Sequence, residues 1–205
     1  NFFLHALATL ALVEGSIFEN KENLQFCRIA GGPHGDPFDD TLSLAAGQSL
    51  TAIKLCSGHR VDGIGVSILS TDNTLNEPFH GSDKNCQTYN LAPNEHITSF
   101  EVHTARHHKK TRVSYVNFIN DEGHSYEGGR MSDDEKKMSG CKAPDGYHLG
   151  GFYGRDGNEI DAIAPIWVPI DPIQQSNGQY PANNQLASKG TSSQYQDDDP
   201  SDDYK

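Results

Sequence analysis

An apolar rhythm of two recurs from about residue 24 to residue 170, and it constrains this chain more than any other feature. Ile64, Val66 and Ile68 alternate in GIGVSIL, and Phe100, Val102 and Thr104 alternate in TSFEVHT. Val116, Phe118 and Asn120 alternate with Tyr115 and Asn117. Ile160, Ala162, Ala164, Ile166 and Val168 form the longest run. Successive side chains of a strand point to opposite faces, so this rhythm predicts half-buried strands. Turn signals separate the runs: Asp62-Gly63, Asp121-Glu122-Gly123, Pro144-Asp145-Gly146 and Asp156-Gly157-Asn158. Arg106 to Lys110 is a polar link between two long strands, as in a hairpin. No segment sustains a helical stripe. The expectation is an all-β domain: a sandwich, barrel or prism.

Two flanks depart from this rhythm. Residues 1–16 hold the apolar run FFLHALATLALV, too short to span a bilayer but suited to the core of a signal peptide, with Val13 and Gly15 at the −3 and −1 positions of a cleavage site. Residues 171–205 are rich in Gln, Asn, Ser and Asp and nearly devoid of large aliphatics, so they are expected to be disordered. The domain itself is expected over residues 24–170.

Charge and cysteines narrow the function classes. The formal net charge is −12. Nucleic-acid binders carry a basic face, and anionic lipid attracts basic segments. Neither partner fits, and no membrane insertion is expected. A neutral, polar partner such as a glycan does fit. Cys27, Cys56, Cys86 and Cys141 are widely spaced and form no CxxC pair. Four such cysteines suit two disulfides in an oxidising, extracellular compartment. Three pairings are open.

Two glycine-rich segments carry the candidate chemistry: Gly31 to Asp40 (GGPHGDPFDD) and Gly150 to Ile163 (GGFYGRDGNEIDAI). A sugar presents adjacent hydroxyls, each donor and acceptor. A binder therefore needs a carboxylate to accept from them and backbone N–H groups to donate back. In the second segment Gly157 permits a tight turn, and Asp161 follows at the start of a strand. In the first, Gly35 lets backbone approach a ligand closely.

GGFYGRDGNEIDAI resembles the C-terminal signature of jacalin-related lectins. The glycine-rich segment near Gly35, Val61-Asp62-Gly63-Ile64 and LAPNEHI (Leu91 to Ile97) resemble other parts of that family. The resemblance runs from about Phe26 to Pro169. It implies a β-prism of three antiparallel four-stranded sheets with pseudo-threefold symmetry, no cofactor, no metal and no catalysis. The Gly-x-x-x-Asp motif of its mannose-binding members reads Gly157-Asn158-Glu159-Ile160-Asp161 here. Asn158 and Glu159 then correspond to backbone contacts, Asp161 to the carboxylate, and Gly35 to the first-loop glycine. The resemblance implies mannose- or glucose-containing glycans as partners, bound by a secreted protein.

At its third loop the sequence departs from the family, as it does in carrying four cysteines where most plant members lack disulfides. Tyr126-Glu127-Gly128-Gly129-Arg130 stands where members often carry Gly-Pro-x-Gly, and a charged insertion, Ser132 to Ser139, follows it. Glu127 and Arg130 are therefore candidates to extend or block the sugar site. Asp39, Asp40 and Arg155 read as structural residues. His103 and His107 have a spacing that converges only on a helix, so they predict no metal site. Asp156, Glu159 and Asp161 form no enclosing cleft for hydrolysis. A single shallow site binds a monosaccharide at roughly millimolar strength, so avidity calls for a homo-oligomer or a larger parent chain. The alternative function is an extracellular structural or adhesive module that keeps the prism and uses its surface for protein assembly.

Overall fold

A computed structural model describes residues 23–171 of the chain. The expected leader and residues 172–205 of the expected tail lie outside the described residues. Fourteen strands follow in order: β1 (Gln25–Phe26), β2 (Ala30–Gly31), β3 (Asp36–Asp39), β4 (Ser49–Ser57), β5 (Val61–Leu69), β6 (Leu75–Asn76), β7 (Phe79–Gly81), β8 (Cys86–Asn90), β9 (Ile97–His107), β10 (Lys110–Asn120), β11 (Ser125–Gly129), β12 (Met138–Lys142), β13 (Tyr147–Asp156) and β14 (Ile160–Pro169). Among the described residues the only helical pieces are two 3-10 turns, Thr41–Ser43 and Glu135–Lys137.

The strands form three antiparallel sheets. The first runs β1-β14-β13-β3, with β2 also paired to β14. The second runs β11-β10-β9-β12, and the third runs β6-β5-β4-β8 with β7 also on β5. Each sheet is four strands wide, because β1 and β2 share one edge of β14 while β6 and β7 share one edge of β5. This is the all-β prism. The sheets meet around Phe100, Phe118 and Phe152, whose ring centres lie 5.2 to 6.3 Å apart, with Ile53 and Ile64 of the third sheet fully buried in the same core.

Local sequence explains several turns. The β9–β10 link is a two-residue hairpin at His108 and Lys109, with φ of 46° and 66°. That is the left-handed pair of a type I′ turn, whose twist matches the flanking strands. Asp62-Gly63 is not a turn but lies inside β5. Gly63 is needed there for close packing, since a Cβ would meet the Phe79 ring at 2.7 Å and the His80 carbonyl at 3.1 Å. The link between β4 and β5 instead passes through Gly58 to Arg60.

β14 also differs from the half-buried strand that its alternation predicts, because all ten of its residues are buried. Its second face is covered by the rest of the prism, and Trp167 on that face is 1 % exposed. The Trp167 indole N–H donates to Cys27 Sγ at 2.9 Å.

All four cysteines are paired. Cys27–Cys141 joins the segment after β1 to β12, closing a separation of 114 residues and linking the first sheet to the second. Cys56–Cys86 bridges directly opposed residues of β4 and β8, with Cα atoms 3.8 Å apart.

His148 of β13 is buried beside His96, with ring centres 5.2 Å apart. Burial, reinforced by the charge of His96, lowers its pKa to about 4 from an ordinary 6.5. Above pH 6.5 both folded and unfolded His148 are neutral, and stability is full. As pH falls from 6.5 to 4 the unfolded chain takes up a proton that the folded chain refuses, so stability falls. At about 1.4 kcal/mol per pKa unit, the expected loss is about 3 kcal/mol by pH 4. Urea unfolding across that range should show it, and His148→Leu should flatten the profile.

Candidate functional site

The candidate loop is the hairpin between β13 and β14. Asp156 is in register with Ile160, leaving Gly157, Asn158 and Glu159 as the connection. The Gly157 N–H donates to the Glu159 carbonyl at 3.1 Å. Gly157 and Asn158 are exposed, Glu159 is half-buried, and Ile160 and Asp161 are buried. Among the described residues the Asn158 and Glu159 N–H groups have no protein acceptor. They are free donors at the tip.

Gly157 does not serve the hairpin in the way the sequence suggests. Its φ is not left-handed, and an added Cβ would meet nothing within 4 Å. The turn therefore does not require glycine, and the missing side chain leaves open space over the loop. Gly35 is the glycine that is sterically required. Its φ is +72°, and a Cβ there would lie 2.6 Å from Asp161 Oδ2 and against the Asp156 carbonyl. The structure thus brings Gly35 and Asp161 together.

Neighbouring residues hold the two loops in place. The Arg155 guanidinium donates to the carbonyls of His34 at 3.0 Å and Gly35 at 2.7 Å, tying the first loop to β13. Asp156 accepts from the Gly81 N–H at 2.6 Å, tying the hairpin to β7. Asp39 accepts from the Thr41 N–H at 2.8 Å, and Asp40 from the Phe152 N–H at 2.9 Å and His80 at 2.7 Å.

The carboxylates of the loop sit inside an ion-pair network. Arg112 of β10 pairs with Asp161 through Nη1 and donates from Nε to Glu159 at 3.1 Å. Arg60 pairs with the other oxygen of Glu159, and His107 Nδ1 lies 3.4 Å from the oxygen that Arg112 holds. Partial burial alone would raise the Glu159 pKa. Arg60, followed by Arg112 and His107, outweighs that burial, and the net shift is downward. Glu159 is thus committed through its side chain, while its N–H has no acceptor among the described residues. Asp161 retains 4 % side-chain exposure.

Arg60 and Arg112 are not among the residues singled out from sequence, and His107 is considered there only as a metal ligand. They lie 47 to 99 positions from Glu159. One signal was available: Asp161 is the only ionisable residue in IDAIAPIWVP, and a buried acid demands a cation. Glu127 is engaged elsewhere, accepting from the Tyr115 hydroxyl, while its carbonyl accepts from Tyr89 at 2.9 Å. Arg130 and the first residues of the insertion line a groove together with Arg60 and His107. His103 is bonded to Glu101 at 2.6 Å and accepts from the Ser132 N–H at 3.0 Å, away from His107.

Several known proteins are similar to this chain. The family model described as the jacalin-like lectin domain matches residues 27–166. Secreted RxLR effector protein 19 of Plasmopara viticola is 44 % identical over 168 residues, covering 82 % of this chain and 93 % of the relative. A mannose binding jacalin related lectin from Ananas comosus superposes with a TM-score of 0.60 at 20 % identity, covering 71 % of this chain and 98 % of that one. A mannose-specific jacalin-related lectin from Morus nigra, in complex with mannose, gives 0.59 at 19 % identity, with coverages of 71 % and 95 %. At these identities the two lectins establish the fold alone.

The buried pair generates a prediction. Arg112→Met leaves Asp161 buried without its cation and should cost about 3–5 kcal/mol in urea unfolding. The double variant Arg112→Met/Asp161→Leu should recover most of that loss, because it removes both charges.

Proposed function

This chain belongs to the jacalin-like lectin domain family, and we propose that it is a secreted, metal-independent carbohydrate-binding protein that takes mannose- or glucose-type glycans at Gly35 and the Gly157–Asp161 hairpin. One observation carries the reading: Asp161 Oδ2 faces Gly35 at the base of a hairpin whose Asn158 and Glu159 N–H groups are unpaired. A hydroxyl pair can donate to the carboxylate while accepting from those amides. Gly157 leaves the approach open. Binding without chemical turnover is the expected activity. Two disulfides and the effector relative from Plasmopara viticola support export. Multiple copies would supply the avidity that one shallow site lacks.

A second reading rests on a specific contact. Arg112 already pairs with Asp161, so a sugar must share that carboxylate with a guanidinium. If the sharing excludes sugar, the prism is an extracellular module for protein assembly, a role compatible with an effector relative.

Asp161→Ala is a poor test, because it strands Arg112 in the interior. Gly157→Leu is a clean one, since its side chain projects into open space and leaves the turn intact. The wild-type chain should give signal for mannose- or glucose-containing glycans on an array, and Gly157→Leu should lose at least tenfold in affinity by titration. Absence of glycan signal defeats the lectin reading in favour of the assembly module, while equal glycan binding by the variant defeats the placement of the site at the hairpin.

A further inference from the structure

A groove of about 530 Å³ lies beside the hairpin, between the β4–β5 link, the end of β9 and the Arg130–Asp134 segment. Arg60, Arg106, Arg130 and Lys137 line it, four of the 16 basic residues of a chain with net charge −12. Two are already engaged: Arg60 with Glu159, and Lys137 with Asp134 at 3.3 Å. Arg106 and Arg130 form no ion pair among the described residues, and Arg106 has only a 3.4 Å hydrogen bond to the Lys109 carbonyl. Asp133, also on the lining, has no ion pair there either. The uncommitted charge is therefore two guanidinium groups against one carboxylate.

A second observation is independent of charge. Ser114 also lines the groove. It is the residue skipped between Val113 and Tyr115 in the pairing of β10 with β9, a β-bulge. Bulges re-aim side chains and recur beside functional sites. Ser114 is 3 % exposed, and its hydroxyl has no hydrogen-bond partner among the described residues. Its carbonyl accepts from the Arg130 N–H at 2.7 Å, which fixes the start of the Arg130 segment over the bulge. A buried hydroxyl without a partner costs free energy that a bound acceptor would recover. The groove also shares a wall with the proposed sugar site, because Arg60 and His107 both line it and hold Glu159.

We propose that this groove receives an oxyanion, sulfate or carboxylate, carried by the sugar residue next to the one at the hairpin, so that the preferred ligand is an acidic oligosaccharide. The proposal rests on the hairpin reading for the neighbouring sugar and on the groove alone for the anion. A guanidinium fork can bridge two oxygens of either oxyanion, the planar carboxylate or the tetrahedral sulfate, and the Ser114 hydroxyl supplies a neutral donor. The Arg130 segment and the insertion after it thus extend the site rather than block it.

Titration of the full chain with three trimannosyl probes tests this: neutral mannotriose, its sulfated form and trimannuronate. At about 50 mM salt the sulfated probe should bind at least tenfold more tightly than the neutral one. The advantage should largely vanish near 1 M salt, where charges are screened within about 3 Å. Trimannuronate binding as tightly as the sulfated probe would identify carboxylate as an equal source of the anion, while a gain confined to one acidic probe would identify that group alone. The variant Arg106→Ala/Arg130→Ala should lose the tenfold advantage and keep neutral binding, with an unchanged near-ultraviolet circular dichroism spectrum. Equal affinity for all three probes, or an acidic preference that survives in the folded double variant, overturns the proposal. If acidic probes bind while Gly157→Leu has no effect on any probe, the hairpin reading fails and the anion site stands. If neutral binding is lost in Gly157→Leu but acidic groups bring no gain, only the groove proposal fails.

Discussion

The three sheets are tied together at one end of the prism by an ion-pair network built on two carboxylates, the buried Asp161 and its neighbour Glu159. Asp161 is the only ionisable residue in a strand buried along its whole length, and an unpaired carboxylate there would be strongly unfavourable. Arg112 answers it from the second sheet. The same guanidinium reaches Glu159, which also holds Arg60 from the link between two strands of the third sheet. Residues attached to all three sheets therefore converge on one hairpin. Such a network contributes little net stability, since desolvation offsets much of the attraction. Its effect here is geometric: the sheets must meet in one relative position for every charge to be matched.

This explains why the two loops can act as one site. Gly35 belongs to the segment before β3 and Asp161 to the start of β14, 126 positions later in the chain. Arg155 pins the carbonyls of the first loop, and Asp156 pins the hairpin to Gly81. The polar groups left over at the tip are backbone amides, already oriented before any ligand arrives. Ordering costs are low for such a site, which suits a shallow surface that cannot gain much from burial.

Alternation and turn chemistry made most of the fold legible. The runs at Ile64, Phe100, Val116 and Ile160 all lie in strands, and the glycine-rich strings located the two loops. Failures came where long-range packing overrides local pattern. Asp62-Gly63 has the composition of a turn, yet Gly63 is small because Phe79 crosses over it. The second face of β14 looked solvent-facing because its alternation says nothing of what covers Trp167. Which residues supply the cations around the hairpin could not be read for a related reason. Arg60 sits in the β4–β5 link, His107 at the end of β9 and Arg112 in β10, and only the closed prism brings them to Glu159. Gly157 shows the reverse case, a residue correctly placed at the loop whose backbone does not require glycine.

The order of strands in the first sheet has a kinetic consequence. β14 is the last strand among the described residues but occupies an interior position of its sheet, between β13 on one side and β1 and β2 on the other. β1 and β2 therefore have no partner until β14 is available. Contacts of that sequence separation form late and slowly, and until then β1, β2 and the apolar surface meant for β14 stay exposed. A domain with this topology, emerging vectorially from a ribosome or through a membrane, completes its folding only after Pro169 has emerged. The bond between Cys27 and Cys141 can form before that point, once β12 has emerged, and would then hold the N-terminal segment near the place that β14 must enter.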